Sequence, residues 1–308
     1  MCAGHESLLK QAVAFPNLRR AWEEVAANKG IPGVDGVSIK RWERRWEERL
    51  HQLRAEVLAG RYRPRKLRVR RIPKKNRREW RELRIPTVTD RVLQRAVLQV
   101  LYPIYEGRFC DCSFGYRPGR GLRDAVQRII VLRVNEMEHV LDADIDDFFN
   151  QVDHALLDQF LRHDLPDGSL LGLIRAWLKV GRPNPREARG IPMGSPLSPL
   201  LANVYLHRLD LQVQEAGFPM VRYADDFLVF APTRAGAEAA YRLVGQTLQS
   251  LKLHYEPAKT RLTSFEEGFR FVGVWFEGDH YTYEYLDKRI EVEGNEVDWL
   301  FSRYGPDY

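Results

Sequence analysis

Residues 219–231 read PMVRYADDFLVFA, and this run constrains the fold more than any other stretch of the chain. Apolar arms, Met220-Val221 on one side and Phe227 to Phe230 on the other, flank a polar centre at Asp225-Asp226. That is the pattern of a β-hairpin with two carboxylates at its apex. Asp is common in turns, because its side chain bonds the nearby backbone. Two adjacent carboxylates between apolar arms repel each other, however, and call for a cation. A second acidic group, Asp142, Asp144, Asp146 and Asp147, lies upstream in the strand-like run HVLDADI and the two residues after it. An EF-hand loop does not account for it: Asp147 stands where the loop needs Gly, and Asp153 stands at its twelfth position in place of Glu. Two-metal catalysis explains both groups at once. Two Mg²⁺ ions about 3.5–4 Å apart can activate a hydroxyl and stabilise a leaving oxygen. Mg²⁺ takes one or two carboxylates together with phosphate oxygens and water. A strand ending at Asp144 beside a hairpin tip at Asp225-Asp226 would supply them.

The basic side chains are as unevenly placed as the acids. Between Arg61 and Arg84 stand thirteen Lys or Arg and two acids, Glu79 and Glu82, a charge of +11. The chain as a whole carries +6, so the other 284 of its 308 residues sum to −5. A charge run is often only a solvated face. This one is nearly all of one sign and is interrupted by Tyr62, Leu67, Val69 and Ile72, which predicts a folded ribbon suited to phosphate-backbone or triphosphate binding.

With 44% hydrophobic and 29% charged residues, the chain can bury a sizeable core, as two domains or as one domain with inserted lobes. It has no apolar run of about 18 residues and no signal-peptide pattern, so no membrane partner is expected and the bacterial cytoplasm is the expected compartment. Cys2, Cys110 and Cys112 are too few for a disulfide framework, and Cys110-Asp111-Cys112 is too tight for half of a zinc site. Hydrophobic spacing predicts helices over 7–29 and from Lys40 to Gly60, then strands in the basic ribbon. It predicts further helices over 87–101 with Thr87 or Thr89 as N-cap, 121–135, 198–210 and 235–251. FRFVGVWF (269–276) reads as a late strand, or as a hairpin if its partner lies after Gly278.

The box Tyr223-Ala224-Asp225-Asp226 resembles the YADD signature of reverse transcriptases, in particular the bacterial lineage related to group II introns. Ordered blocks agree with it: RIPKKNRREWRELRIPTVTDRVLQRAV (71–97), SFGYRPGRG (113–121), ADIDDFFNQVDH (143–154), GIPMGSPLSPLLANVYLHRLD (190–210), EPAKT (256–260) and FVGVWF. The resemblance covers roughly residues 20–276. It implies an α+β right-hand polymerase, with an antiparallel palm sheet and its packed helices, fingers, and a thumb that is short or absent. The fingers would be 1–115, with the N-terminal helices and the basic ribbon, and the palm 116–276, with part of 155–189 free to return to the fingers. A short extension, 277–308, follows.

The same resemblance implies RNA-directed DNA polymerisation, in which a DNA or RNA primer is extended with dNTPs on an RNA template. Asp144, Asp225, Asp226 and the Ile145 backbone would hold two Mg²⁺ ions, with Mn²⁺ able to substitute, and Lys259 would give a proton to pyrophosphate. Lys75 (or Lys74) and Arg81 match residues that hold the incoming triphosphate. Phe149 matches an aromatic that blocks a ribose 2′-hydroxyl, and Phe148 is expected in the core. Gly194 would let backbone approach the nucleotide, while Met193 stands where many relatives have Gln and cannot donate an amide's hydrogen bonds. Arg65, Arg68, Arg70, Arg117 and Gly273 are the expected nucleic-acid contacts.

Only 32 residues follow the primer-grip-like strand, too few for an intron protein's thumb, maturase region and nuclease. LTSFEEGFRFVGVWF resembles reverse transcriptases of CRISPR adaptation, which would make adaptation integrase proteins partners. A truncated intron enzyme or another domesticated relative stands beside that reading. From a different class, a catalytically weak nucleic-acid-binding scaffold of a larger complex is the alternative.

Overall fold

A computed structural model of the protein describes residues 7–73, 80–285 and 288–293. Contacts divide the chain into two compact units, each built from two separated stretches: 1–108 with 149–205, and 109–148 with 206–308.

The first unit is helical with one ribbon. It contains α1 (Leu8–Ala12), α2 (Phe15–Ala27), α3 (Ile39–Glu43), α4 (Trp46–Leu58), β1 (Arg68–Pro73), β2 (Trp80–Ile85) and α5 (Val88–Glu106). After α7 (Phe148–Gln151), which starts one residue before the unit's second stretch, come α8 (His154–Asp164) and α9 (Gly168–Gly181). The expected helix over 7–29 is two helices. Pro16 has no N–H to continue the first helix and its ring would clash with the Ala12 carbonyl, so α1 closes at Val13 and Pro16 falls in the first turn of α2, which opens at Phe15. The helix expected from Lys40 is also two, broken at Arg44-Arg45 with neither Gly nor Pro to mark the place. Thr87 is the N-cap of α5, its hydroxyl accepting from the Asp90 amide. Tyr62 and Thr87 both donate to the buried Asp90 carboxylate, and Trp177 Nε1 donates to the Tyr62 hydroxyl at 2.9 Å. The ribbon forms as expected, with Arg68 paired to Ile85 and Pro73 to Trp80.

The second unit is sheet-rich. It holds α6 (Leu122–Val134), β3 (His139–Ala143), β4 (Met220–Tyr223), β5 (Asp226–Ala231), α11 (Arg234–Ser250), β6 (Arg261–Ser264), β7 (Phe269–Phe271), β8 (Val274–Glu277), β9 (His280–Tyr285) and β10 (Lys288–Glu293). The long helix α10 (Ser198–Glu215) begins in the first unit and ends in the second. One antiparallel sheet has the order β4-β5-β3-β6, and the other is a meander, β10-β9-β8-β7. α11 packs on β3 and β5, and α6 on β4. Val140, Leu228 and Phe230 share a core with Ile129, Phe265, Phe269 and Phe276.

FRFVGVWF is itself a hairpin, tighter than expected: it reverses at Val272-Gly273, both at positive φ, so that Phe271 pairs with Val274. β9 then adds across a second turn at Gly278, so the first part of the expected C-terminal extension continues the sheet, and 294–308 lie outside the described residues. No helix among the described residues is long and apolar enough to cross a membrane.

Candidate active site

In the second unit, β3 lies between β5 and β6. Its register against β5 runs from His139 opposite Ala231 to Ala143 opposite Phe227. One further step sets Asp144 level with Asp226, the first residue of β5. Side chains alternate along a strand, so Val140, Asp142 and Asp144 share a face with Phe230, Leu228 and Asp226. That face is apolar where it meets the core and carboxylate-bearing at its end. Asp225 completes the group in the two-residue turn between β4 and β5, where Tyr223 pairs with Asp226.

The backbone around Asp144 is fixed on its other side as well. The Glu256 amide donates to the Asp144 carbonyl at 2.9 Å, and the Asp146 amide to the His254 carbonyl at 3.0 Å. These two bonds flank the Ile145–Tyr255 bridge and leave Ile145's own amide and carbonyl outside that pairing. Ile145's side chain is buried, so only its backbone could serve a ligand.

Repulsion marks the site. Desolvation, then the charges of Asp225 and Asp144, push the Asp226 carboxyl up to about 7, against the opposing pull of Lys259. The Lys259 ammonium pairs with Asp144, and that hydrogen bond raises its pKa further. Burial likewise raises Asp142, whose partner is Arg261 at 3.3 Å. Hard oxygen donors with too little positive charge among them suit Mg²⁺. Among the described residues no three His, Cys, Asp or Glu side chains form a ready-made metal cluster, and the Lys259 ammonium occupies the Asp144 carboxylate.

The turn itself is closely held. Ala224 has φ +61, and Gly115 packs against it so tightly that a Cβ there would lie 2.4 Å from the Ala224 nitrogen. Behind it lies a pair that the sequence reading missed, Arg222 and Asp210, both without solvent exposure. An Arg inside the apolar arm of MVRY was the available signal, since a buried charge demands a partner.

The first unit gathers most of the nucleotide-site candidates. Arg81 is exposed on β2 opposite Ile72. The neighbouring Arg84 amide donates to the Met193 carbonyl at 2.7 Å. Gly194 has φ +113, and a Cβ there would meet the Arg84 carbonyl at 3.1 Å, so the close approach this glycine permits is to β2 itself. The Ile191 amide donates to the Phe149 carbonyl at 2.7 Å, which ties Phe149 to the same block. Phe149 is half-buried, whereas Phe148 is only 2% exposed. Arg65 and Arg70 are exposed, and Arg68 donates to the Pro32 carbonyl at 3.2 Å. Lys74 and Lys75 lie outside the described residues.

Two expected nucleic-acid contacts fall in the second unit. Gly273 sits in the β7–β8 turn with open space around it. Arg117 is only 5% exposed, and its Nη1 donates to the Cys110 and Ser113 carbonyls at 2.7 and 2.9 Å. As found, it braces a turn.

Residues 72–276 match the family described as reverse transcriptase (RNA-dependent DNA polymerase). The chain belongs to the reverse transcriptase family. Protein YkfC of Escherichia coli K12 is 31% identical over 286 residues, 79% of this chain and 74% of YkfC. Group II intron-encoded protein LtrA of Lactococcus lactis is 35% identical over 204 residues, 64% of this chain but 32% of LtrA, so the chain spans about a third of that relative. Apo telomerase from Candida tropicalis shares the fold, with a TM-score of 0.54 at 12% identity over 76% of this chain and 52% of that one. The reverse transcriptase fold of palm and fingers, and RNA-dependent DNA polymerisation as the class of activity, come with that membership. Relatedness to group II intron proteins is carried by LtrA.

Proposed function

We propose that this reverse transcriptase extends a DNA or RNA primer on an RNA template by two-metal phosphoryl transfer, using the end of β3 and the β4–β5 turn. The observation that carries the reading is the register placing Asp144 level with Asp226, with Asp225 beside them in the turn. Asp144, Asp225, Asp226 and the Ile145 carbonyl would hold two Mg²⁺ ions, or Mn²⁺ in their place. When bound, such ions activate the primer 3′-hydroxyl and stabilise the charge leaving on pyrophosphate.

The remaining roles belong to the chain's own side chains. Lys259, an ammonium whose pKa the Asp144 hydrogen bond holds above its ordinary value, would release Asp144 and then give a proton to the leaving pyrophosphate. The first unit acts as fingers, with 149–205 returning to it, and the second as palm. Arg81, together with Lys74 or Lys75, grips the triphosphate by a planar fork and a point charge. Phe149 bars a 2′-hydroxyl, while Met193 and Gly194 shape the sugar side. Arg65, Arg68 and Arg70 follow the template backbone. Association with CRISPR adaptation integrase proteins has for support the likeness of LTSFEEGFRFVGVWF alone.

Primer extension on matched RNA and DNA templates tests the reading. Mg²⁺-dependent incorporation of dNTPs on RNA is expected, abolished by chelation and restored by Mg²⁺ or Mn²⁺. A protein that binds primer–template yet incorporates nothing with either ion is the scaffold, not the enzyme.

A further inference from the structure

Arg222 occupies the middle of β4, between Val221 and Tyr223, with no solvent exposure. Its Nε donates to Asp210 Oδ1 at 2.7 Å and its Nη2 to Asp210 Oδ2 at 2.6 Å, a two-pronged pair with a residue of α10. Nη1 donates to the carbonyl of Ala224 at 3.0 Å. One rigid guanidinium thus ties a helix to the first residue of the turn that carries Asp225 and precedes Asp226.

Three observations show that this turn needs holding. Ala224 stands at φ +61, where a Cβ crowds the backbone and L residues other than Gly, Asn and Asp are uncommon. The backbone of Arg222 is anchored on its outer edge, its amide donating to the Cys112 carbonyl at 2.7 Å and its carbonyl accepting from the Phe114 amide at 2.9 Å. Gly115 lies so close to the turn that any side chain there would clash with the Ala224 nitrogen. The loop over 112–115 and the guanidinium hold the turn between them.

Stability alone does not account for an ion pair here. Taking two charges out of water offsets most of what their attraction contributes, and well-packed apolar residues often serve a core as well or better. What an apolar pair cannot do is offer a fixed N–H to the Ala224 carbonyl. We propose that Arg222 and Asp210 are positioning residues, which set the direction of the Asp225 and Asp226 carboxylates by holding that carbonyl. The inference rests on the metal-binding reading above, and its test separates the two.

The test compares wild type with Arg222→Lys, with the paired variant Arg222→Met/Asp210→Leu, and with Asp225→Asn. Three properties are read: Mn²⁺ affinity by electron paramagnetic resonance titration without nucleotide, thermal melting, and kcat against KM in primer extension. Lys keeps the charge but not the fork, and the paired variant keeps an apolar core without either charge. Both are expected to melt cooperatively, to bind Mn²⁺ about 10–100-fold more weakly, and to lose kcat on that scale with little change in KM for primer–template, as when the outer partners of a metal site are removed. Either folded variant with wild-type Mn²⁺ affinity and kcat overturns the proposal. Loss of the fold in both overturns it too, because the pair would then hold the core and not aim the turn. If Asp225→Asn itself binds Mn²⁺ like wild type, the fault lies with the metal reading.

Discussion

The molecule's two charged regions are constructed in opposite ways. The acidic one ends a four-stranded sheet, with Asp144 set by β3's pairing to strands on both sides and Asp225 on a turn braced by Arg222 and Gly115. The basic one is a two-stranded ribbon in which five of the six residues of β1 are exposed, and its described ion pairs, Arg71 and Arg84 to Glu82, lie within β1 and β2. Rigidity accompanies like charges that must meet a small, hard cation in one geometry. Exposure accompanies a surface that must follow a polyanion, where counterion release supplies much of the affinity and no single phosphate is decisive. The contrast implies that substitutions at the sheet end act all-or-none and those on the ribbon act by degrees.

The sharpest way to break this contrast is Asp225→Asn or Asp144→Asn. Each should cut extension by on the order of 10³-fold or more while primer–template binding stays near wild type, since a positioned metal contributes several kcal/mol to the transition state. Steady-state extension and a filter-binding titration measure the two halves. Activity within about tenfold of wild type would remove that residue from the site.

Next in size is the pair Phe148 and Phe149. Phe149→Ala should change the ratio of dNTP to rNTP incorporation by about 10–100-fold, because a clash with the wrong sugar is what gives the discrimination. Phe148→Ala should leave that ratio alone and instead destabilise the fold by about 3–5 kcal/mol, a loss read by denaturant titration, since its ring is fully buried. If the ratio follows Phe148 instead, the gate has been assigned to the wrong ring.

The ribbon should yield smaller steps. Neutralising Arg81 should raise KM for dNTP, and neutralising Arg65, Arg68 and Arg70 should weaken template binding across sequences, lowering the slope of log K against log salt by about one for each phosphate that no longer meets a cation. A slope unchanged in the triple variant would mark the ribbon as a solvated face.

The smallest effect separates the regions by pH. Asp226 rises from its ordinary 3.8 to about 7 in the metal-free fold. A carboxyl raised on folding contributes stability below its unfolded value, and that contribution is lost as pH rises through the folded one. Without metal, wild type should therefore lose a little melting temperature between about pH 4 and 7 relative to Asp226→Asn, and Mg²⁺ should close the gap. An identical pH profile in the two proteins contradicts the crowding argument.

The sheet end was legible in sequence because its pattern is local. The apolar arms on either side of Asp225-Asp226 point to a hairpin, and the strand ending at Asp144 carries its own signal. The ribbon was legible as a run of charge broken at strand spacing by Leu67 and Val69. What escaped depends on partners distant in sequence. Arg117 reads as a surface cation until the Cys110 and Ser113 carbonyls fold around it. Arg222 reads as an interruption of an apolar arm until Asp210 arrives from α10. Gly194 announces a close approach but not to which backbone, and the break at Arg44-Arg45 carries no residue that breaks helices.

The interrupted course of the chain has a consequence for its biosynthesis. Each compact unit is completed by a stretch that the other unit's residues precede, 149–205 after 109–148 and 206 onward after those. During translation the first 108 residues, ribbon included, emerge well before the segment that finishes their unit. The strand bearing Asp144 is made before the hairpin that pairs with it, and at ~5–20 residues per second those intervals last seconds. A cationic, half-formed N-terminal region therefore spends that time beside ribosomal RNA and its own message, where polyanions compete for the ribbon before its folding partners exist. Joining such separated stretches carries a loop-closure entropy, so cutting the gene between residues 108 and 206 should leave two fragments that fold only together.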